Sequence, residues 1–392
     1  MRILVLTPTF LPAIGGAELV VLQIYRRLAE HHSIIVLTPY LSENLLNNAS
    51  SNEYNQLINF DVRQYYERYS FMKIRGHKIT QGLIPPFSLS AVIALRHEIK
   101  AFQPDVVNVH YVMPTGFAGF YAQKVMKVPT VITYNGRDVP GPGTPFFWKY
   151  WHRFIGRNCA AVTFVSKYCR DIICGSTTLA GHIIYNGVEN SVKVSDNQKQ
   201  KLRTKLKLED DEQVIFALQR LDYLKRVDIL IRSMPKIIKH RPNTRLVIGG
   251  KGPDLERLKQ LAHQIGVAKK VIFVGYISRH ELPVYFHIAD LFLFHSTYET
   301  FGIVLAEAMS YCKAVVSVAN TAISEVVDNG KTGLLVPTFD HEKFAGAVLE
   351  LLNDRIRREE MGNQGFNKVN RFFKWKTIAN RYEKVLESVA SG

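Results

Sequence analysis

The stretch Ser296-Thr297-Tyr298-Glu299-Thr300-Phe301-Gly302-Ile303-Val304-Leu305-Ala306-Glu307-Ala308 decides how this chain is read. The apolar run before it, Ala289 to Phe294, reads as a buried strand. The run from Phe301 to Ala308 reads as a helix starting near Gly302. Glu299 then lies at the strand end and Glu307 inside the helix, beyond its first turn. A strand–loop–helix turn points free backbone N–H groups into a crevice where an anion can sit. Two acceptor-only carboxylates beside that spot suit a neutral polyol better than a second anion. A diphosphate joined to a ribose and a hexose meets both demands. The competing reading makes Glu307 an ordinary surface charge. Its neighbours Ile303, Val304, Leu305 and Met309 are apolar, so a buried position is expected, and a buried carboxylate needs a partner.

Strand and helix patterns alternate on both sides of this stretch. Ile3–Leu6, Ile34–Leu37, Val106–His110, Thr130–Tyr134 and Ala161–Val165 read as buried strands, with helical patterns at Glu18–Glu30 and Leu89–Phe102. After a polar interval the pattern restarts with Val214–Leu218, Arg245–Ile248, Val271–Val274, Leu291–Phe294 and Ala314–Val318. This predicts an α/β protein of two doubly wound, mainly parallel units facing a cleft. The expected domains are residues 1–190, a linker or hinge at 191–212, a second unit at 213–371, and a last helix at 372–392 that packs back on the first.

With 392 residues the chain suits two domains rather than one. A formal net charge of +16 favours acidic partners such as nucleotides or phospholipid surfaces. The cations are spread along the chain with no dense basic block, so nucleic acid is not an expected partner. Cys159, Cys169, Cys174 and Cys312 form no CxxC pair and no zinc spacing, which reads as free thiols in a reducing cytosol. The N-terminal Met1 to Pro8 reads as a first core strand rather than a signal peptide. With no apolar run of about 18 residues, any membrane contact is expected to be peripheral.

Four further clusters fall at strand ends, where open α/β sheets bind ligands. Gly15-Gly16-Ala17-Glu18 precedes a helix and permits close backbone approach to a phosphate, or is a plain tight turn. Arg220 and Lys225 lie on the loop leaving Val214–Leu218, where a guanidinium fork and an ammonium can reach one diphosphate, or are simply solvated. Gly249-Gly250-Lys251-Gly252-Pro253 permits a loop packed under a nucleotide, or just ends a strand. Tyr134-Asn135-Gly136-Arg137-Asp138 offers polar groups to a cleft, or is an Asn-Gly turn. No Asp-x-Asp pair and no GxxxxGK[ST] occur, so neither a metal–diphosphate clamp nor a P-loop is expected.

Taken in order, these elements resemble the family-4 retaining glycosyltransferases of the GT-B fold, over nearly the whole chain. The matched elements run from Gly15–Glu18 through Asp105–His110, Gly136–Asp138, Val165-Ser166, Asn186–Glu189, Arg220 with Lys225, Gly249–Pro253 and Phe273–Gly275 to Ser296–Glu307. The last is the family's E-x7-E motif. The resemblance implies that Arg220 and Lys225 hold the donor diphosphate, with Glu299 on the hydroxyls of the transferred sugar and Glu307 on the ribose. Backbone N–H groups of Thr300, Phe301, Gly302 and Ile303 would face phosphate and sugar, with Gly16, Asn135 and Gly250 completing the donor site. His110 and Asp138 are the acceptor-side candidates. No metal and no cofactor are implied, the nucleotide sugar being a substrate. Asn135 stands where relatives often have His and cannot titrate near neutral pH. Arg226 stands where relatives have glycine.

The expected reaction is hexosyl transfer from a UDP-sugar, with GDP-mannose as second choice, to a glycan or lipid-linked acceptor of the cell envelope. Arg220, Lys225 and Glu299 are its expected catalytic groups. Tyr65, Tyr66, Tyr69 and Phe71 interleave with Arg63, Arg68, Lys73, Arg75 and Lys78. Phe147, Trp151, Phe154 and Ile155 fall on one helical face, with Lys149, Arg153 and Arg157 on another. Such a helix suits an anionic bilayer on the cytoplasmic side, or equally a protein core. Another GT-B-like enzyme, such as an epimerase or phosphorylase, and a non-catalytic nucleotide-sugar-binding protein remain as alternatives.

Overall fold

Parallel strands cannot be joined by tight turns, so each needs a crossover, here mostly a helix. The computed structural model describes residues 1–11, 16–40, 56–67, 87–136, 139, 146–175, 181–337 and 339–392. The chain divides into one unit of Met1–Gly187 with Trp375–Gly392 and a second of Val188–Lys374.

In the first unit the strands are β1 (Arg2–Leu6), β2 (Ser33–Pro39), β3 (Asp61–Tyr65), β4 (Val106–His110), β5 (Thr130–Tyr134), β6 (Ala161–Phe164) and β7 (His182–Ile183). They form one sheet in the order β3-β2-β1-β4-β5-β6-β7, every pair parallel. The helices are α1 (Gly16–Leu28), α2 (Leu89–Phe102), α3 (Gly116–Lys124), α4 (Phe146–Arg157) and α5 (Lys167–Cys174). Covered on both faces, the central strands are mainly apolar, and Ile3, Leu4, Val5 and Leu6 are wholly buried.

The second unit repeats the plan. Its helix α6 (Asp196–Lys205) precedes β8 (Gln213–Leu218), and α7 (Val227–His240), β9 (Thr244–Gly249), α8 (Leu255–Gln264) and β10 (Val271–Gly275) follow. Then come α9 (Leu282–Ile288), β11 (Leu291–Leu293), α10 (Ile303–Ser310), β12 (Val315–Val318), α11 (Ile323–Val326), β13 (Gly333–Val336), α12 (His341–Asn353) and α13 (Arg355–Phe372). The sheet order is β10-β9-β8-β11-β12-β13. Winding therefore reverses between β1 and β4 in one sheet and between β8 and β11 in the other, and these switch points open crevices at the strand C-termini.

Residues 191–212 are not simply a linker. Ser195 accepts from the Gln198 backbone N–H at 3.3 Å and Gln198 Oε1 accepts from the Ser195 N–H at 3.0 Å, a capping box that starts α6. The last helix, α14 (Trp375–Ala390), belongs to the first unit, where it buries Trp375, Ile378, Tyr382 and Leu386. His32 Nε2 fastens it to Glu383 at 2.8 Å. Arg63 and Tyr65, at the start of the aromatic-basic stretch, lie on edge strand β3 (Asp61–Tyr65), and Tyr65 is buried. Gly15, Arg137, Asp138, Arg68, Tyr69, Phe71, Lys73, Arg75 and Lys78 lie outside the described residues.

Burial also sets an acid limit. Desolvation lowers the imidazoles of His110 and His295 from 6.5 to about 4, and that of His152 to about 3. All three rings are wholly buried. Their folded pKa values lie below the unfolded value, so above pH 6.5 they leave stability unchanged. As pH falls from 6.5 towards 4 the unfolded chain takes protons the native one refuses, and each ring removes on the order of 3 kcal/mol. Melting temperature should therefore fall steeply over that window. Neither ring nitrogen of His152 has a hydrogen-bond partner among the described residues, and the ring packs on Tyr134 at 5.5 Å, so His152→Phe should flatten the slope. An unchanged slope in that variant would contradict the assignment.

Candidate active site

The loops that leave β8 and β11 lie side by side at the switch point of the second unit. Thr297 donates both its backbone N–H, at 2.8 Å, and its hydroxyl, at 3.0 Å, to the Leu224 carbonyl. This lacing brings Lys225 Nζ to Glu299 Oε2 at 2.7 Å. Both side chains are largely enclosed, and the ammonium also lies 5.5 Å from the centre of the Phe294 ring. Asp222 shapes the 3-10 turn Tyr223–Lys225 by accepting from the N–H groups of Leu224 and Lys225.

Glu299 Oε1 accepts from the Thr300 N–H at 3.1 Å. Gly302 then caps α10 in the left-handed region, φ 84°, with no side chain closing the helix start. The first-turn N–H groups therefore lie beside the ion pair, a ready anion seat. Glu307 lies within α10, and its partner is Arg279 from the loop after β10. Sequence reading demanded a partner for Glu307 but had no signal for which residue supplied it.

Arg220 does not join this cluster. Its guanidinium is mostly exposed and lies 3.3 Å from Asp222, on the same loop. Gly250, at φ 125°, packs against the backbone of Gln219, and its N–H donates to the Gly275 carbonyl at 2.7 Å. Phe301 is buried against Phe373, so its ring supports the loop and only its backbone is available to a ligand.

Arg226 keeps the loop shape that glycine would give. It adopts φ 44°, ψ 43° itself, at a steric cost of roughly 1–2 kcal/mol. Its guanidinium forks onto both Asp228 oxygens at 2.9 Å and lies over the Phe339 ring at 4.5 Å. Arg226→Gly should relieve the strain yet leave the buried Asp228 carboxylate unpaired, for a net loss of about 2 kcal/mol. Arg226→Gly with Asp228→Ala should recover most of it. Thermal denaturation checks this, and a more stable Arg226→Gly single variant would refute it.

In the first unit, Gly16 opens α1 and is exposed. Asn135 follows β5 and lies 3.1 Å, through Nδ2, from His110 Nδ1. His110 is wholly buried, with Nε2 2.9 Å from the Tyr25 hydroxyl. It therefore cannot touch an acceptor and instead stands behind Asn135, which corrects the acceptor-side expectation. The face expected on α4 also divides. Ile155 is buried, Trp151 stacks on Phe117, and Phe147, Tyr150 and Phe154 stay exposed. Among the described residues no helix is long and apolar enough to cross a membrane.

Two family models match in chain order. The model described as Glycosyltransferase Family 4 covers residues 14–192, and that described as Glycosyl transferases group 1 covers residues 198–368. The chain belongs to glycosyltransferase family 4. The transferase is 22% identical over 388 residues to the N-acetyl-alpha-D-glucosaminyl L-malate synthase of Bacillus anthracis, covering 97% of this chain and 96% of that protein. It is 34% identical over 237 residues, 58% of this chain and 61% of the other, to the GDP-mannose-dependent alpha-(1-6)-phosphatidylinositol monomannoside mannosyltransferase of Mycobacterium tuberculosis. Among solved structures, Anabaena HepE in complex with UDP and glucose superposes with a TM-score of 0.78 at 20% identity, covering 99% of this chain and 100% of that one. The fold is GT-B, and the transferase acts on nucleotide sugars.

Proposed function

We propose that the transferase moves a hexosyl group from a UDP-sugar, or failing that GDP-mannose, to a lipid-linked or glycan acceptor of the cell envelope. Transfer retains the anomeric configuration and uses no bound metal. The observation that carries this reading is the Lys225–Glu299 pair at the uncapped start of α10, with the Arg279–Glu307 pair on the same helix.

In this reading, negative charge grows on the departing diphosphate as the glycosidic bond breaks. An ammonium has three donors, so Lys225 keeps its bond to Glu299 and has two left for phosphate oxygens. Arg220, exposed and tied to Asp222 by one contact, swings in as a second cation. Each preorganised donor of this kind lowers the barrier by roughly 2–4 kcal/mol. Glu299 accepts from sugar hydroxyls, and the Glu307 oxygen not held by Arg279 accepts from the ribose. A donor phosphate oxygen helps deprotonate the acceptor on the same face, which gives retention. Arg279→Ala should raise the donor KM by about tenfold with kcat nearly unchanged, through a loosened Glu307 carboxylate. A lowered kcat at constant KM would argue against that role.

The two named relatives carry different acceptors in their names, so the acceptor is read from α4. Phe147, Tyr150 and Phe154 are exposed beside Lys149, Arg153 and Arg157, a face suited to an anionic lipid surface on the cytoplasmic side. Thermal stabilisation by a panel of nucleotide sugars tests the donor. Proton NMR of the product, with and without EDTA, tests retention and metal independence, and an inverted product or loss of turnover in EDTA overturns the corresponding part. Nucleotide release without acceptor would favour the other enzyme classes. Equal sedimentation with neutral and anionic vesicles would remove the membrane claim.

A further inference from the structure

Two carboxylates in the first unit lie one helical turn apart with no basic side chain to balance them. Glu383 and Glu387 are four residues apart on α14, so they share one face, where like charges repel. Among the described residues neither has a Lys or Arg partner, although the formal net charge of the chain is +16. What stands opposite them is a histidine. His32 lies in the turn after α1, fixed by its backbone: its N–H donates to the Leu28 carbonyl at 2.9 Å, and the N–H of Ser33 donates to the Met1 carbonyl at 3.0 Å. Its side chain is only 9% exposed, with Nε2 2.8 Å from Glu383 Oε1 and Nδ1 3.3 Å from the Met1 nitrogen. The ring is thus held from behind and presents Nε2 to α14. One ligand atom from each of His32, Glu383 and Glu387 lies within 4.8 Å of the other two. Among the described residues this is the one such group of His, Cys, Asp or Glu side chains.

We propose that His32 Nε2 and the carboxylates of Glu383 and Glu387 bind a zinc ion that fastens α14 to the turn between α1 and β2. In a tetrahedral site with bonds of about 2.0–2.2 Å the ligand atoms stand roughly 3.4 Å apart. His32 and Glu383 therefore separate slightly, and the exposed Glu387 closes in by rotating its own side chain, with no movement of backbone. Three protein ligands leave the fourth position to water. One imidazole with two carboxylates favours zinc over calcium and magnesium, which take oxygen ligands. A carboxylate only accepts, so Nε2 carries the hydrogen it shares with Glu383, and that hydrogen must leave Nε2 as the ion binds. The ion cancels the repulsion along α14 and cross-links residues 32 and 387. The last helix, which the chain reaches only after the whole second unit, is then tied to the first unit by a metal as well as by its apolar face. The ion takes no part in transfer: its ligands belong to the first unit, whereas Lys225, Glu299 and Glu307 belong to the second.

Calorimetric titration of zinc into tag-free, full-length protein, stripped with EDTA and then freed of it, tests the site. One equivalent should bind. Glu387→Gln, an exposed change that spares the fold, should weaken binding by about tenfold or more. His32→Gln, which can still donate to Glu383, should abolish it. Calcium and magnesium should not bind. No zinc bound by the wild type, equal affinity in the wild type and both variants, or a preference for calcium overturns the site. Amide hydrogen exchange tests the fastening: zinc should slow exchange in α14 by about tenfold in the wild type and leave Glu387→Gln unchanged. Equal exchange with and without zinc in the wild type overturns the fastening. Turnover well below the melting temperature should be the same in EDTA and in Glu387→Gln. Turnover lost in EDTA to the same extent in the wild type and in Glu387→Gln would count against metal-free transfer, while the titration still decides the zinc site.

Discussion

Replacing Lys225 with alanine is expected to lower kcat by about 10²–10³-fold, the loss typical of one preorganised donor to a developing oxyanion. The effect is argued from place. Lys225 is the cation that the structure sets beside the start of α10, whereas Arg220 is turned toward Asp222 and mostly exposed. Removing Arg220 should therefore lower kcat less than removing Lys225. The fold should survive, because Glu299 keeps the Thr300 N–H and the Leu224–Thr297 bonds hold the loops together through backbone. Lys225→Ala with Glu299→Ala should be less harmful than the product of the single losses, since the two side chains share one bond. Steady-state kinetics on the soluble variants settles this. A Lys225→Ala enzyme within threefold of wild type would remove Lys225 from the chemistry.

The fold was legible because parallel strands buried on both faces leave long apolar runs, and β4, β5 and α2 fall where the pattern put them. Elements whose burial is slight escaped. β3 and β7 are edge strands, and β13 is four residues opening on Gly333, whose missing Cβ makes room for the Val315 carbonyl. Helix α6 is polar nearly all round, burying only Leu202, so periodicity has nothing to register and the capping box is the one local signal. In the candidate site, Lys225, Glu299 and Glu307 were readable because each stands on a loop leaving a central strand or on the helix that follows it. Arg279 was not, because its pairing with Glu307 is made across the sheet by the loop after β10 and no local rule links the two. His110 misled for a related reason: it ends a strand at the switch point, as a ligand contact would, yet it points into the buried network of Tyr25 and Asn108. Chain position gives the end of the strand, while the side of the sheet is set by packing with α1 and α14.

Gly250→Ala should be the most damaging small substitution in the second unit. Gly250 stands at φ 125°, a region that L side chains rarely occupy, and an added Cβ would lie 1.9 Å from the Gln219 carbonyl oxygen. The obstructing atom is backbone, so no rotamer can relieve the clash. The neighbouring bonds resist as well: Gln219 N–H donates to Gly249 at 3.2 Å, and Leu221 N–H to Lys251 at 3.0 Å. Moving the Gln219 backbone would carry its side chain along, and Gln219 Nε2 holds the Lys225 carbonyl at 3.1 Å. Stability should fall by about 4 kcal/mol, in the range of strained backbone positions that also clash. For a unit of this size the melting temperature should drop by roughly 10 °C. Stabilisation by a nucleotide sugar should vanish in the surviving folded protein, because Arg220 and Lys225 are displaced together. Gly346→Ala is the matched control. It lies within α12 with nothing within 4 Å of the added carbon, and should stabilise by about 0.5–1 kcal/mol. If both alanines left the melting temperature where it was, the close approach of the two loops beneath the proposed diphosphate site would be wrong. If Gly250→Ala lost stability but kept the full nucleotide-sugar shift, the loop would be a structural support only, and Lys225 would be held by the Thr297 lacing alone.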